Sequence, residues 1–236
     1  MSHFKEKIMT ETATTTKTIT FENVLSLLFP EGPPPAGSAF LRLVDLDRVD
    51  VEGYWRKLDA GWQEQRHDRL TFGFSRFTDS LGPERGIGFC PVLTKDVWSL
   101  APAWPLSVVW CGVRSQSDPR LDGVVHRVEA EAVEAAELRL FAHGLDPSII
   151  IREGLRVTAF WLLSEPLDEA RAGWLLTKLR ARFLGDPALE TTRPLIAIPG
   201  TRAPRVFPSA DVVASLVSTT RRSIETITAW LEGRKG

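Results

Sequence analysis

The stretch LSVVWCGV, residues 106–113, is a nearly continuous apolar run, and it constrains the fold more than any other feature of this sequence. A strand that is buried on both faces has this composition, whereas a half-exposed strand alternates apolar and polar residues. The run therefore predicts a central strand in a sheet that is covered on both sides. With 43% hydrophobic and 25% charged residues among 236, the chain has the composition of an ordinary globular protein.

Helices and strands alternate around this run. The segments SIIIREG and VTAFWLL, separated by few residues, predict a β-hairpin, and AFLRLVDL and RLTFGFSRF predict further strands. Helical patterns occupy residues 21–29, 51–65, 124–141 and 168–184, and residues 209–236 predict one long helix or two short ones. This alternation is typical of a layered domain that combines helices with a sheet.

The net charge of the chain argues against a protein that binds nucleic acid through an overall positive charge. A net charge of −1 is not the strongly basic footprint of a bulk nucleic-acid binder, so phosphate binding requires local clusters of arginine. The two cysteines, Cys90 and Cys111, lie in apolar strand-like segments, which predicts buried free thiols. The four histidines show no metal-ligand spacing, and no Cys/His cluster indicates zinc.

The domain organisation follows from the ends of the chain. We expect residues 1–18, which are polar and rich in threonine, to form a disordered tail. Residues 19–208 are predicted to form the main domain, and residues 209–236 a C-terminal helical segment. No stretch approaches the roughly 18 apolar residues of a membrane helix, and the N-terminus lacks the apolar core of a signal peptide, so a cytoplasmic location is expected.

The segment RPLIAIPGTRAPR, residues 193–205, combines a Pro-Gly turn signal with three arginines. It follows VVWCGV, HGLDPSIII and EGLRVTAFWLL in chain order. This order of elements and motifs, over residues 20–208, resembles the archaeo-eukaryotic primase superfamily, especially the primase-polymerases of plasmids, phages and other mobile elements. The resemblance implies an α+β fold: an RRM-like antiparallel sheet with flanking helices, plus a smaller N-terminal α/β half, with the site in the cleft between the halves.

Two motifs of that family are altered in their chemical groups. In the family the buried strand ends in Asp-x-Asp, and alternation along the strand lets both carboxylates share a pair of divalent metals. Aligned on Trp110, the two expected acids fall on Gly112 and Arg114, and neither residue type binds Mg²⁺. The family's phosphate-contacting histidine falls on Thr158, although Gly154 and the following aromatic FWLL segment are kept.

The third family motif, Arg-x-Pro-Gly-Thr-x-Asn-x-Lys, keeps its Pro199, Gly200 and Thr201. Ala197 replaces the arginine, and Ala203 and Arg205 stand for the asparagine and lysine. A coordinated loss of both acids and the histidine predicts a catalytically degenerate protein, a pseudoenzyme with no catalytic residue and no metal or other cofactor.

The arginines suggest what such a cleft could still bind. A guanidinium group grips phosphate oxygens in a bidentate way and keeps its charge, so it could fill the space that the metals leave. The predicted nucleotide- or nucleic-acid-binding residues are Arg114, Arg156, Thr158, Arg193, Thr201, Arg202 and Arg205. The alternative is that these arginines are scattered surface residues paired with the abundant glutamates.

Three functions follow from this reading. The first is a non-catalytic primase-polymerase-like protein that binds a nucleotide or nucleic acid, with DNA expected, or assists an active replication protein of a mobile element. The second is an active DNA primase or polymerase with relocated acids, Asp118, Asp122 or the pair Asp45 and Asp47, which would need Mg²⁺ or Mn²⁺. In that sequence context, turn formation and helix capping are the competing roles for these aspartates. The third is a protein-only scaffold that docks through residues 209–236.

Overall fold

An antiparallel five-stranded sheet forms the centre of the protein, in the order β1-β8-β5-β6-β4. The computed structural model describes residues 16–30, 43–45, 86–93, 106–114, 134–142, 144–154, 156–183, 194–202 and 211–233. The strands of the large sheet are β1 (Lys17–Ile19), β4 (Leu106–Arg114), β5 (Ile149–Glu153), β6 (Arg156–Leu167) and β8 (Val213–Leu216). A smaller antiparallel sheet contains β2 (Leu43–Asp45), β3 (Ile87–Phe89) and β7 (Ile196–Ala197), in the order β2-β3-β7.

The predicted hairpin is confirmed as β5 and β6, which pair in antiparallel register. The apolar run at 106–113 is confirmed as β4, and its side chains from Val108 to Cys111 are buried. Among the described strands β4 is the last of the sheet and pairs with β6, and its predicted central position stays a prediction, since the predicted strand at 69–77 lies outside the described residues. Burial of β4 therefore comes from the layers above and below the sheet.

Helices cover one face of the large sheet. Helix α2 (Glu169–Phe183) begins at Asp168, whose carboxylate accepts the Arg171 amide at 2.8 Å, and it buries its apolar residues at helical spacing. The ring of Phe183 stacks on Trp161 of β6 at 5.6 Å between centroids. On the same side, Glu137 of the helical residues 134–141 forms an ion pair with Arg152 of β5. The predicted helices at 124–141 and 168–184 are thus confirmed where the structure describes them.

The opposite face of the sheet carries helix α1 (Phe21–Leu28) and the small sheet. Thr20 and Asn23 form a reciprocal capping box at the start of α1, and the predicted apolar face of this helix is buried. Phe21 packs edge-on against Phe89 of β3, with ring centroids 5.0 Å apart. At the other end of the helix, the Ser107 hydroxyl of β4 donates to the Leu28 carbonyl at 2.7 Å. These contacts join the small sheet, α1 and β4 in one core.

The C-terminal segment differs from its prediction. Residues 213–216 form β8, which pairs with β1 on one side and β5 on the other, so helix throughout 209–236 is wrong. Helix α3 (Ile224–Leu231) follows, capped by Ser223 and with Ile227 fully buried. The domain boundary at 208 stays a prediction, as does the tail boundary at 18, although Lys17 and Thr18 already belong to β1.

The described segments agree with the predicted fold class. The large antiparallel sheet with flanking helices is the RRM-like arrangement that the sequence resemblance implied. The small sheet takes β2 and β3 from the N-terminal half of the chain and β7 from residues 196–197. Helix α2, with 15 residues, is the longest helix in the described ranges, and no helix there combines the length and hydropathy needed to cross a bilayer. The predicted helix at 51–65 and the strand at 69–77 lie outside the described residues.

Candidate functional site

The register of β4, β6 and β5 brings the altered motif positions together. Gly112 pairs with Thr158, and Thr158 pairs with Ile151 on its other side. In the next row on the same sheet face, Arg114 pairs with Arg156. Because directly opposed residues share a sheet face, the two expected acid positions and the expected histidine position are immediate neighbours.

These rows face away from the helical layer and toward the small sheet. Trp161, which contacts α2, is an odd number of residues from Thr158 along β6, so the two side chains point to opposite faces. Glu153, opposite Arg156, reaches β7 of the small sheet. The predicted cleft between the two halves would therefore lie between β4–β6–β5 and β7, where Thr158, Ile151 and Ala197 are fully buried in this structure.

Thr158 lies at the floor of this cleft and is fully buried, with 0% of its surface exposed. Its hydroxyl oxygen has no hydrogen-bond partner among the residues that the structure describes. A buried hydroxyl without a partner costs roughly 1–3 kcal/mol, because it loses its hydrogen bonds to water. The predicted role of Thr158 in phosphate contact stays a prediction, and it requires the covering groups to move aside.

Replacing Thr158 with valine tests whether that hydroxyl is unsatisfied. Thr158→Val keeps the shape of the side chain and removes the lone hydroxyl, so we expect the free energy of unfolding to rise by about 1 kcal/mol. Thr201→Val is the matched control, because the buried Thr201 hydroxyl donates to the Ile198 carbonyl at 2.7 Å, and its loss should lower stability by about 1 kcal/mol. Urea unfolding measures both, and a destabilised Thr158→Val would show that the hydroxyl has a partner.

Arg156 is held by a carboxylate that the sequence analysis did not single out. Its guanidinium forms an ion pair with Glu153, whose side chain is only 3% exposed, and it makes a long hydrogen bond of 3.5 Å to the Leu195 carbonyl. The other Glu153 oxygen accepts the Ala197 amide at 2.7 Å. We name Glu153 and Arg156 the hairpin clamp, because they join the β5–β6 hairpin to β7. The positive charge of Arg156 is thus compensated within the protein.

The Pro-Gly segment forms the turn that its sequence predicts. The Thr201 amide donates to the Ile198 carbonyl at 3.1 Å, and Gly200 has φ +88°, the geometry of a type II turn with Pro199 at its second position. Two backbone hydrogen bonds to Val212 dock the turn beside β8, at 2.8 and 2.9 Å. Because β7 precedes this turn directly, the hairpin clamp fixes the third motif next to the second.

The structure describes only some of the other predicted binding residues and alternative acids. Arg202 follows the turn, is half-buried and forms a backbone bridge with Asp211. For Arg114 the structure describes the backbone position in β4, whereas Arg193 and Arg205 lie outside the described residues. Asp45 ends β2 opposite Ile87, and the other alternative acids, Asp47, Asp118 and Asp122, also lie outside the described residues.

Cys90 and Cys111 are buried thiols that form no disulfide, as predicted. Within the described ranges, no three His, Cys, Asp or Glu side chains converge as a metal site would require. On this sheet face the Thr158 hydroxyl is neutral, and the Glu153 carboxylate is held by Arg156 and the Ala197 amide. These described groups do not fit a pair of magnesium ions.

Comparison with known proteins adds the fold family. No protein-family model matches this sequence, and no curated protein matches it either. Among solved structures, the AEP domain of the cyanophage S-2L primase-polymerase matches with a TM-score of 0.56 at 14% identity, over 90% of this chain and 96% of that one. The catalytic domain of primase RepB′, solved in complex with initiator DNA, matches with a TM-score of 0.54 at 10% identity, over 91% and 93% of the two chains.

A further structure of primase RepB′ matches with a TM-score of 0.55 at 10% identity, over 90% of this chain and 61% of that one. All three neighbours are primases or primase-polymerases, in agreement with the resemblance drawn from the motifs. The chain therefore has the fold of the primase-polymerase domains of the archaeo-eukaryotic primase superfamily.

Proposed function

We propose that this protein is a catalytically degenerate primase-polymerase-like protein that binds nucleic acid, with DNA expected, or a nucleotide. The observation that carries the proposal is the strand register, which makes Gly112, Arg114 and Thr158 neighbours where the family resemblance expects two carboxylates and a histidine. We further propose that it acts as an accessory protein in the replication of a mobile element.

The loss of the two acids removes the metal-dependent chemistry and leaves the backbone fold. A two-metal nucleotidyl transfer needs carboxylate oxygens that hold both ions near the attacking and departing oxygens. Glycine offers no side-chain ligand, and an arginine at the second position adds a positive charge that repels a divalent cation. The same positive charge favours phosphate, so the substitution turns a metal-binding position into one suited to an anion.

The binding half of the proposal is supported by the fold and by the turn. The catalytic domain of primase RepB′ was solved in complex with initiator DNA, which makes nucleic acid a reasonable ligand for a chain of the same fold. Arg202 lies directly after the docked Pro-Gly turn, with Arg193 and Arg205 close to it in sequence. Since Arg156 is neutralised by Glu153, we assign the phosphate contacts chiefly to Arg114 and to the arginines around this turn.

Oligonucleotide binding tests this proposal. We expect a labelled single-stranded or duplex oligonucleotide to bind at about 20 mM salt, and binding to weaken steeply as salt rises, because phosphate contacts release counterions. Arg202→Ala should lower the slope of log affinity against log salt by about 0.7–0.9, the value for one lost phosphate contact. Lys17→Ala, which removes an exposed lysine from the edge strand β1, is the control and should leave the slope unchanged.

A chain that binds no oligonucleotide at low salt, with or without added nucleotide, would overturn the binding half of the proposal. Binding that is equally strong in wild type and Arg202→Ala would remove the turn from the site and leave Arg114 as the remaining described candidate. Nucleotide binding is measured in the same samples by competition, since a nucleotide held in the cleft would displace the strand.

A further inference from the structure

One exposed face of helix α2 carries basic and aromatic residues at helical spacing, on the far side of the sheet from the cleft. Its members are Arg171, Trp174, Lys178 and Arg182, separated by three, four and four residues, and all four are exposed. Residues at these spacings lie above one another on a helix. We name this set the α2 stripe. It extends about 16 Å along the helix axis, from the rise of about 1.5 Å per residue.

The charge of the α2 stripe has one sign. After Glu169 at the start of α2, the exposed residues of the helix include three cations and no acid. Arg171 pairs with Asp168 at 3.6 Å, but both side chains are largely exposed, at 71% and 62%. An exposed pair of this kind contributes little to stability, so a phosphate group can replace the carboxylate at small cost.

One aromatic ring lies among these cations, and a second lies beside them on α3. Trp174 is 42% exposed, whereas most large apolar side chains in the described segments are buried or partly buried. The Lys178 ammonium lies 5.7 Å from the centre of the Trp174 ring. Beside it, the Arg182 guanidinium lies 5.5 Å from the ring of the half-buried Trp230 of α3, which packs on Phe183. The stripe thus offers two ring–cation pairs.

We propose that the α2 stripe binds single-stranded nucleic acid, with its cations on the phosphates and Trp174 stacked on a base. Proteins that bind single strands without sequence preference combine a basic track with aromatic stacking platforms, which is the arrangement here. A duplex keeps its base faces stacked inside, so an exposed indole has no base to contact there.

This surface is separate from the cleft. The stacking of Phe183 on Trp161 places α2 on the helical face of the sheet, while Gly112 and Thr158 lie on the other face. The inference therefore goes beyond the proposed cleft function, and the stripe does not need an intact cleft. The α2 stripe would be a second contact with the nucleic acid, in addition to any contact near the Pro-Gly turn.

Fluorescence anisotropy with a labelled oligothymidylate of about 15 nucleotides tests the proposal on the full chain at about 20 mM salt. We expect Trp174→Ala to weaken binding between roughly 5- and 150-fold, the range for one lost base–aromatic stack. Leu138→Ala is the matched control and should leave affinity unchanged, because Leu138, 60% exposed, is the other exposed large apolar residue among those that the structure describes.

The charge arm uses Lys178→Glu against Lys17→Glu, which make the same change in net charge at two exposed sites. We expect Lys178→Glu to weaken binding roughly 10-fold and to lower the salt slope by about 0.7, and Lys17→Glu to do neither. Circular dichroism confirms that each variant is folded. Photo-crosslinking of the oligonucleotide, read by mass spectrometry, should place the attached base on the peptide that contains Trp174.

Each outcome decides a separate point. If the chain binds the oligonucleotide and neither Trp174→Ala nor Lys178→Glu weakens it, the stripe is wrong and the cleft proposal stands. If polyglutamate competes as well as the oligonucleotide and Trp174→Ala changes nothing, the surface binds acidic protein segments and the inference is overturned. If no oligonucleotide binds, both the stripe and the nucleic-acid part of the proposed function fail.

Discussion

A chain that ends at residue 208 is expected to lose its cooperative unfolding transition. The truncation removes β8, which lies inside the large sheet between β1 and β5. It also removes Ala214 and Ile227, which are completely buried, and Val212, which is 2% exposed. Burying one valine or isoleucine side chain contributes roughly 1.5–3 kcal/mol, whereas a whole domain is stable by about 5–15 kcal/mol.

Polar contacts add to this loss. Arg221 donates to the Leu163 carbonyl of β6 at 3.0 Å and to the Leu27 carbonyl of α1 at 2.6 Å, so one side chain joins both faces of the core. Because the side chain is partly buried, desolvation lowers the pKa of Arg221 from its ordinary value. Without it, the Leu27 carbonyl at the end of α1 and the Leu163 carbonyl in β6 lose this donor.

Thermal unfolding followed by circular dichroism measures the effect. The control is a chain that ends at Gly233, which keeps every described residue and should unfold like the full chain. A chain ending at residue 208 that still unfolds cooperatively at an unchanged midpoint would show that residues 209–236 are an appendage. That result would also revive the scaffold hypothesis, since a docking element must be removable without loss of the fold.

The position of β4 shows what hydrophobicity alone predicts. The run at 106–113 correctly indicated a strand covered on both faces, because α2 packs on one side of it and α1 approaches its start on the other. The side-chain pattern of a strand does not indicate which strands lie beside it, because neighbouring strands pair through their backbones. This is why the burial of the β4 side chains was predictable from the sequence, whereas the strands that pair with β4 were not.

The strand β8 illustrates the ambiguity of short apolar runs. In DVVASLVS the apolar residues fit helical spacing as well as a buried strand, and length and flanking residues are the only local guides. Pairing with two strands, β1 and β5, decided the outcome. For α1 and α2 no such competition arose, because their apolar residues repeat over two or more turns between clear capping residues.

At the site, the sequence predicted the positions of the motif residues but not the contacts that hold them in place. Trp110 fixed the alignment for Gly112 and Arg114, and the aromatic FWLL segment fixed it for Thr158; the strand register makes these positions neighbours. Glu153 was missed, because its role depends on the Ala197 amide, 44 residues away in the chain. A signal was present in the spacing of Glu153 and Arg156, which face each other across the hairpin turn.

Template-directed nucleotide incorporation is expected to be absent in this protein, whatever divalent metal is supplied. Every step of the family's chemistry that the resemblance implies depends on two carboxylates at positions 112 and 114, which are glycine and arginine here. Removing the metal ligands removes both the activation of the attacking hydroxyl and the neutralisation of the departing pyrophosphate. The expected loss is all of the catalysed rate, because Glu153, the one acid in the described rows of this face, is already held by Arg156 and the Ala197 amide.

The most direct measurement is primer extension by the purified full chain on a single-stranded template, with Mg²⁺ and separately with Mn²⁺, beside an active primase-polymerase as positive control. We predict no extension above the level without protein, while the same preparation still binds the oligonucleotide. Extension by the wild-type chain that disappears in Asp118→Ala or Asp122→Ala would contradict the account, because it would mean that relocated acids hold the metals.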